Sequence, residues 1–294
     1  MAHLPAMYVP ESPAVLPEAP EELTSQKLQR IGEGIGRVVY ASPHWVVKRE
    51  RSPSEVVALI MLWRMLRKLS RILPAGFGGG LLEGPSRKIR LLRVLMQAVM
   101  LIIPRSLWFT THVRTAWKLY HRRNLRGARL AKAHLAGTSL VPEQVVFPPT
   151  RVSVGGWPGW LVVCEADERV EDTLHQRLAD LAAAGLTEKI EEWLDRFLEL
   201  RQSGWRRGLF SVDAHLKNFG VTGDRIVLLD AGGLTNRWTD VKERLNFEEE
   251  IAQPHVQLGL GAILAPYPEI AGRFDARWKA VVNETVVQRH WSGP

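Results

Sequence analysis

The sequence contains only one cysteine, Cys164, among 294 residues. A single thiol excludes an internal disulfide framework and a cysteine-based zinc site, and it fits a reducing compartment. The first 25 residues hold five prolines and four glutamates, whereas a secretory signal needs a basic start and an unbroken apolar stretch. We therefore expect residues 1–26 to form a flexible, proline-rich leader and the protein to lie in the cytoplasm.

Acidic residues are nearly absent from one long segment. Residues 61–135 contain 16 Lys and Arg but one acid, Glu83, while the whole chain has a formal net charge of +8. Such a segment attracts phosphate groups on nucleic acid or on anionic lipid. No nucleic-acid-binding motif accompanies it, so nucleic acid is the least favoured partner. We expect a solvated basic face first. An anionic membrane surface reached through residues 86–130 comes second, and it would place the protein peripherally on the inner face of the membrane.

The N-terminal half has the pattern of a small sheet. Residues 27–48 predict a strand, a glycine turn and two further strands, and residues 145–165 predict a β-hairpin. We therefore expect a β-rich N-lobe over residues 27–164.

The pattern becomes mostly helical after Glu165. Helices are expected at 170–184 and 187–203, and a small β-element is expected near 209–229. Residues 165–294 therefore predict a mainly helical C-lobe, and the whole chain predicts an α+β, bilobal fold.

Residues 56–127 are expected to be a basic helical insertion in the N-lobe. A first helix would begin near Glu55 and run to about residue 73, and another would cover 107–135. Between them, residues 86–103 are apolar around most of a helix, but a transmembrane helix needs about 20 such residues. A helix lying in a membrane interface and a helix buried against the N-lobe are both compatible with this segment.

The pattern with the clearest chemistry lies in the small β-element of the C-lobe. Asp213 is followed five residues later by Asn218, and Asp230 comes twelve residues further, at the end of the apolar strand 226–229. Magnesium prefers hard oxygen ligands from a few carboxylate or amide groups. Phosphoryl transfer also needs a carboxylate that orients the attacking hydroxyl. Asn218 and Asp230 are thus candidate metal ligands, and Asp213 is the candidate for orienting a hydroxyl.

This spacing resembles the protein-kinase-like superfamily, including its small-molecule and lipopolysaccharide kinase branches. In that family a catalytic-loop Asp is followed by Asn five residues later, and then by an Asp-Phe-Gly-type motif after a short hairpin. Asp213, Asn218 and Asp230 fall on those positions. The resemblance implies a bilobal kinase-like fold that binds ATP with Mg²⁺ and uses these three residues as its catalytic cluster.

The N-terminal half carries the matching phosphate-binding features. Gly32, Gly34 and Gly36 form a glycine-rich turn, whose backbone N–H groups can face a phosphate. Lys48 follows at the end of a predicted strand and resembles the family's strand lysine, which pairs with the nucleotide phosphates.

Two further cofactor contacts are implied by the resemblance. Glu55, at the start of the next helix, is the candidate carboxylate partner for Lys48, although a capping role is the simpler interpretation. Residues 160–165 resemble the strand that leads into the family's hinge, so backbone groups of Glu165 to Asp167 would face an adenine.

Three departures from the family pattern bear on the type of kinase. Ser211 stands where the catalytic loop often has a histidine, and Ala231 replaces the Phe of Asp-Phe-Gly. An Ala-Pro-Glu sequence is also absent after the metal motif. The missing Phe and the missing Ala-Pro-Glu sequence favour a small-molecule kinase over a regulated protein kinase, whereas Ser211 favours a pseudokinase.

The resemblance therefore implies an ATP- and Mg²⁺-dependent phosphotransferase that acts on a hydroxyl of a small molecule, a sugar or a lipid-linked glycan. The first alternative is a pseudokinase, a binding or scaffold module docked at a membrane or on a protein partner. The second is a peripheral membrane scaffold dominated by the basic segment 61–135.

Overall fold

A computed structural model describes residues 13–33, 36–52, 55–56, 59, 111–156 and 158–292. Gly34, the apolar segment 86–103 and most of the insertion 56–127 lie outside the described residues. Within the described ranges the chain is α+β, with a β-rich N-terminal part and a mostly helical C-terminal part.

The N-terminal part is a six-stranded sheet. Its strands are β1 (Ala14–Val15), β2 (Gln29–Glu33), β3 (Arg37–Ala41), β4 (Trp45–Glu50), β5 (Gln144–Ser153) and β6 (Trp160–Glu168). They lie in the order β1-β5-β6-β4-β3-β2, and every pairing is antiparallel except the parallel pair of β1 and β5. The three strands around the glycine turn and the later hairpin are confirmed, although β6 continues to Glu168, three residues beyond the predicted hairpin.

Buried and more exposed residues alternate along the strands, so one face of the sheet is apolar and buried. Val38 and Tyr40 on β3, together with Val152 on β5, are almost fully buried, and they pack in the core under the sheet. This is the period of two that a strand with one buried face requires. On β6 the opposite face is open, and Cys164 is exposed there.

The leader is shorter than the sequence predicts. Residues 14–15 form β1, and α1 (Glu21–Ser25) places Leu23 in the core with none of its surface exposed. The prediction of a flexible leader as far as residue 26 is therefore wrong for residues 14–25. Its prolines fit an extended edge strand and a helix start, where a backbone N–H is not needed.

Helix α2 (Thr111–His134) leads into β5 and confirms the helix predicted for residues 107–135. Its C-terminal half is anchored by Leu135, which is buried in the core of the C-terminal part. The helix therefore connects the sheet with the C-terminal part.

Seven helices are described in the C-terminal part. They are α3 (Leu174–Ala183), α4 (Thr187–Trp205), α5 (Trp238–Glu249), α6 (Pro254–Gln257), α7 (Gly261–Leu264), α8 (Pro268–Val281) and α9 (Glu284–His290). Phe197 on α4 and Trp278 on α8 stack at the centre of their core, with ring centroids 6.2 Å apart. The helices predicted at 170–184 and 187–203 are confirmed as α3 and α4.

Five short strands lie among these helices. They are β7 (Asp172–Thr173), β8 (Phe210–Ser211), β9 (Phe219–Thr222), β10 (Arg225–Leu228) and β11 (Leu234–Thr235). β9 pairs with β10 and β7, while β8 pairs with β11. These two small sheets, one of three strands and one of two, hold the turn after β8 beside the turn after β10, and these turns carry the candidate site.

Candidate functional site

The turn after β8 is fixed by hydrogen bonds to one carbonyl group. Ser211 Oγ donates to the carbonyl oxygen of Asp213 at 3.0 Å, and Asn218 Nδ2 donates to the same oxygen at 3.3 Å. Leu216, at the start of a 3-10 turn over residues 216–218, is fully buried and anchors the loop. The side chain of Asp213 is left exposed at the surface of this fixed loop.

Asp230 lies beside this loop because β10 delivers it there. The backbone N–H groups of Leu229 and Asp230 donate to the carbonyl oxygen of Asn218 at 2.8 and 3.3 Å. Asp230 Oδ1 accepts from the backbone N–H of Gly232 at 2.8 Å, which starts the 3-10 turn over residues 231–233. The structure thus brings the three residues of the predicted cluster together, as the resemblance implies.

The donor set at this position suits a hard cation. Asn218 and Asp230 offer amide and carboxylate oxygens, and 54% of the Asp230 side-chain surface is exposed. Within the described ranges no group of three or more His, Cys, Asp or Glu side chains is placed to hold a metal ion alone. A cation here would take further ligands from water or a bound phosphate, which is how Mg²⁺ is usually held in proteins.

The side chain of Lys48 extends from the sheet to the loop that carries Asp230. It lies on β4, and its Nζ donates to the carbonyl oxygen of Leu229 at 3.2 Å, directly before Asp230. Nζ also lies 2.7 Å from Oδ2 of Asp167 on the neighbouring strand β6. The other oxygen of that carboxylate accepts from Gln144 Nε2 at 3.1 Å. Lys48 is therefore held between an acidic side chain of the sheet and the loop that carries Asp230.

Glu55 does not pair with Lys48, so that prediction is wrong. Its two carboxylate oxygens accept from the guanidinium of Arg49 at 2.8 and 3.0 Å, and one of them also accepts from the N–H of Ser52 at 2.8 Å. Arg49 and Lys48 are adjacent on β4, so their side chains point to opposite faces of the sheet. Burial acts to raise the pKa of Glu55, but the bonds from Arg49 and Ser52 outweigh it and leave the pKa below its usual value.

The glycine-rich segment forms the connection between β2 and β3. Gly32 lies on β2 beside a register shift in the pairing with β3, and Gly36 follows the turn. The carbonyl oxygen of Gly36 accepts from the N–H of Arg51 at 2.7 Å. Next along the chain, Arg37 places its guanidinium 3.9 Å from Asp230 Oδ1. Arg37, at the start of β3, therefore lies near the Asp230 loop. A contact of the glycines with phosphate stays a prediction.

Glu165 to Asp167 lie near the end of β6, and their backbone groups were predicted to face an adenine. Glu165 pairs with Val146 on β5, and β4 meets β6 only at Trp45 and Val46, so Glu165 lies beyond the end of that pairing. A backbone contact of these residues with adenine stays a prediction. The contact that sequence reasoning missed is the carboxylate of Asp167 on Lys48. Its signal in the sequence is an acid at the end of a strand, which by itself is not distinctive.

Helix α2 packs on the loop that carries Asp230. A Cβ atom at Gly127 would lie 1.9 Å from the carbonyl oxygen of Ala231, so only glycine permits this approach. Arg123 Nε donates to the carbonyl oxygen of Gly232 at 3.1 Å, and Arg126 donates to Asn236 at 2.9 Å. The basic helix therefore supports the Asp230 loop with arginines, in a stretch of sequence that has no acids.

A cavity of about 100 Å³ opens beside Asp213, between the loop that carries this residue and helices α5, α6 and α8. His215 and Gln257 border it, as does Glu248, which is buried and bound to Arg244. Burial and the nearby Lys217 lower the pKa of His215, so its ring is neutral at neutral pH. The cavity therefore presents the neutral side chains of His215 and Gln257, together with the ion pair of Arg244 and Glu248, next to the candidate hydroxyl-orienting carboxylate.

No helix in the described ranges has the length and apolar character that crossing a membrane requires. No protein-family model, curated protein or solved structure matches the chain.

Proposed function

We propose that the chain is a protein-kinase-like phosphotransferase that uses ATP and Mg²⁺. The observation that carries the proposal is the contact of Lys48 with the carbonyl oxygen of Leu229. This contact joins residues 181 positions apart and brings the lysine of the sheet to the Asp230 loop. The strand lysine thereby lies beside the loops that carry the two candidate metal ligands and the candidate catalytic carboxylate, and this junction is called the cleft.

Each residue of the cleft has a role that its chemistry supports. Lys48 and Arg37 are the cations that would face the nucleotide phosphates, and Asn218 and Asp230 would hold Mg²⁺. A metal held there would supply positive charge that offsets the negative charge developing on the phosphate oxygens. Asp213 would orient the acceptor hydroxyl and accept its proton, since it is exposed while its backbone is fixed by two hydrogen bonds.

The acceptor that we propose is a hydroxyl of a small molecule, a sugar or a lipid-linked glycan. The cavity beside Asp213 has a volume of about 100 Å³ and includes the neutral side chains of His215 and Gln257. Hydroxyl groups donate and accept hydrogen bonds, and an amide and an imidazole offer both functions. A small hydroxylated group therefore fits the space better than an extended peptide would.

A pseudokinase is the alternative, and it predicts binding without phosphate transfer. It would use the same cleft to bind nucleotide or a partner but would not transfer phosphate. The retention of Lys48, Asp213, Asn218 and Asp230 around one cleft favours the enzyme, because a binding module has no need of all four.

The outer face of α2 supports a second proposal, an anionic membrane surface as a docking partner. Arg122, Arg129 and Lys132 are exposed there and form no ion pair with the part of the chain that the structure describes. By contrast, Arg123 and Arg126 on the same helix donate hydrogen bonds to Gly232 and Asn236.

Flotation with vesicles containing phosphatidylserine would test whether this face binds a membrane. Binding that is lost when all three outer residues become Gln supports the surface. Binding that ignores lipid charge and salt contradicts it.

The enzyme proposal is tested with γ-labelled ATP, Mg²⁺ and a panel of polyols, monosaccharides and glycolipids. The wild-type protein should label at least one acceptor, and Asp213→Asn should lose most of that transfer while still binding ATP. If Asp213→Asn transfers at the wild-type rate, the assigned role is wrong. If the wild type binds ATP but labels no acceptor in the panel, the pseudokinase is favoured.

A further inference from the structure

Arg244 on α5 is a cation that lines the cavity beside Asp213. Its Nε donates to Oε1 of Glu248 at 2.9 Å, and the central carbon of its guanidinium lies 4.8 Å from the ring centroid of Phe247. These two contacts fix the position of the group. Its two terminal nitrogens form no hydrogen bond with the part of the chain that the structure describes, and 21% of the side-chain surface is exposed. Arg244 therefore has donors available to a ligand in the cavity.

The carboxylate of Glu248 is already satisfied by the protein. One oxygen accepts from Arg244, and the other accepts from Trp278 Nε1 at 3.1 Å. The residue is buried, with 5% of its surface exposed. Glu248 therefore orients Arg244 and has little need of a donor from a ligand.

The charges behind this wall of the cavity do not cancel. Arg201 on α4 is enclosed near the same carboxylate, and burial lowers its pKa to about 10, with Glu248 acting to raise the pKa and Arg244 to lower it. Arg201 is thus cationic at neutral pH. Two arginines share one carboxylate, which leaves one positive charge in excess, and such an excess attracts an anionic ligand.

The same cavity is bordered by Asp213 and by the neutral side chains of His215 and Gln257. Its volume of about 100 Å³ is room for several waters or for one small organic acid. A ligand in this space meets groups that bind hydroxyls as well as the terminal nitrogens of Arg244. The cavity therefore suits a compound that has both a hydroxyl and a negative charge.

We propose that the acceptor is a small hydroxylated anion, whose carboxylate or phosphate group is bound by the terminal nitrogens of Arg244. The planar guanidinium matches both groups, because it can donate two parallel N–H bonds to their oxygens. A neutral polyol would leave the excess positive charge unbalanced. Arg244 thus determines which acceptor binds and takes no part in making or breaking bonds.

This assignment rests on the proposed phosphotransferase function, in which Asp213 orients the hydroxyl. In the transfer, the acceptor oxygen forms a bond to the γ-phosphorus of ATP while the bond from that phosphorus to ADP breaks. The proton of the hydroxyl passes to Asp213. The anionic group on Arg244 stays unchanged throughout.

Binding of three matched probes to the full chain, without nucleotide or metal, tests the site. The probes are glycerol, D-glycerate and glycerol 3-phosphate, titrated by calorimetry at constant ionic strength. Since a hydrogen bond to a charged group is stronger than a neutral one, both anionic probes should bind at least about tenfold more tightly than glycerol. The stronger of the two identifies the anionic group that the site prefers. Equal affinities of the wild type for all three probes would overturn the proposal.

The variant Arg244→Gln should lose the preference for the anionic probes. Arg196→Gln is the matched control, because it also removes an ion pair with a glutamate four residues away, Glu192 on α4. This control should keep the preference of the wild type. The same preference in Arg244→Gln and in the wild type would overturn the assignment to Arg244.

A second measurement needs no variant, in case Arg244→Gln folds poorly. Phenylglyoxal modifies accessible arginines, and peptide mass spectrometry reports the rate at each one. D-glycerate or glycerol 3-phosphate should slow the modification of Arg244 in the wild type, whereas glycerol should not. Arg289, exposed on α9, should react at the same rate throughout. An unchanged rate at Arg244 in the presence of both anionic probes would also overturn the proposal.

The labelling assay with γ-labelled ATP separates this inference from the proposed function. Transfer to glycerol in preference to both anionic probes, lost in Asp213→Asn, would support the phosphotransferase and overturn the anionic acceptor. Binding of the anionic probes at Arg244 by a chain that does not bind Mg²⁺-ATP would instead support the anion site and contradict the phosphotransferase.

Discussion

Lys48 Nζ lies 2.7 Å from Oδ2 of Asp167, and the two side chains come from adjacent strands of one sheet. The pair is partly sheltered, with 29% and 19% of the two side-chain surfaces exposed. In the resemblance to kinases, the partner of the strand lysine was expected at the start of a helix. In this chain the sheet itself provides the carboxylate, so the lysine is fixed within a single rigid element.

Replacing Asp167 with Asn should weaken the binding of Mg²⁺-ATP. The change removes the negative charge that fixes the Lys48 rotamer but keeps an acceptor for Gln144. We expect a loss of roughly tenfold in affinity, or about 1.4 kcal/mol, measured by isothermal titration calorimetry. Glu168→Gln, one residue further along β6, is the matched control and should bind as the wild type does. Equal affinities for Asp167→Asn and the control would show that the pair does not serve nucleotide binding.

Substitutions of Glu55 and of Lys48 should have different effects on stability and on nucleotide affinity. Glu55→Ala removes the carboxylate that accepts from the N–H of Ser52 and from Arg49, so a loss of about 1 kcal/mol in the free energy of unfolding is expected. Its affinity for Mg²⁺-ATP should stay at the wild-type value, while Lys48→Met should lose nucleotide binding. A loss of nucleotide affinity in Glu55→Ala that is as large as in Lys48→Met would restore the original pairing.

Gly127 should be intolerant of even one methyl group. Alanine there would overlap the carbonyl of Ala231, and relieving the overlap should destabilise the protein by about 1–3 kcal/mol. Because the displaced backbone leads into the Asp230 loop, Mg²⁺-ATP affinity should fall as well. Urea unfolding and calorimetry measure the two effects.

Gly272 on α8 provides the matched control for this change. It is also a helical glycine, but a Cβ atom there meets nothing within 4 Å. Gly272→Ala should therefore raise the free energy of unfolding by roughly 0.5–1 kcal/mol through helix propensity alone. If Gly127→Ala were equally stabilising, the close packing of α2 on the loop would be refuted.

His215 should make the protein less stable in mild acid. Burial is the main cause of its lowered pKa, and Lys217 adds to it while Asp213 opposes it. The neighbouring His175 also has a lowered pKa, mainly through burial. As the pH falls through about 6.5, the unfolded chain binds protons at these positions before the folded chain does, so stability decreases.

The variant His215→Asn tests this pH dependence. Its side-chain oxygen can replace His215 Nδ1 as the acceptor for the N–H of Lys217, but it does not titrate. Urea unfolding at pH 7.5 and pH 5.5 should show a smaller loss of stability in the variant than in the wild type. Identical losses in the two proteins would mean that His215 is not a source of the acid sensitivity.

The local periodicity of apolar residues was sufficient to predict most of the helices and strands. The strands around the glycine turn follow from β-branched runs with a period of two, and α4 follows from buried residues at helical spacing. The mutual placement of Asp213, Asn218 and Asp230 was also predictable, because short spacings around one hairpin leave little freedom.

Contacts between distant parts of the chain were not predictable in this way. Asp167 and Lys48 are brought together by the strand order of the sheet, which no local pattern specifies. The same holds for β1, whose two residues pair with Val145 and Val146. Proline-rich sequence looks disordered when considered alone, yet burial of Leu23 fixes this segment against the sheet.

The central claim is that the cleft binds ATP through a metal held by Asp230. Isothermal titration of ATP, with Mg²⁺ and then with EDTA, tests it most directly on the wild type, Asp230→Asn and Asp224→Asn. Asp230→Asn keeps an acceptor for the N–H of Gly232, and Asp224 is an exposed residue of the β9–β10 turn. We predict Mg²⁺-dependent binding in the wild type and in Asp224→Asn, with a loss of at least about tenfold in Asp230→Asn. No binding by the wild type at millimolar ATP, or equal binding in all three proteins, would contradict the account.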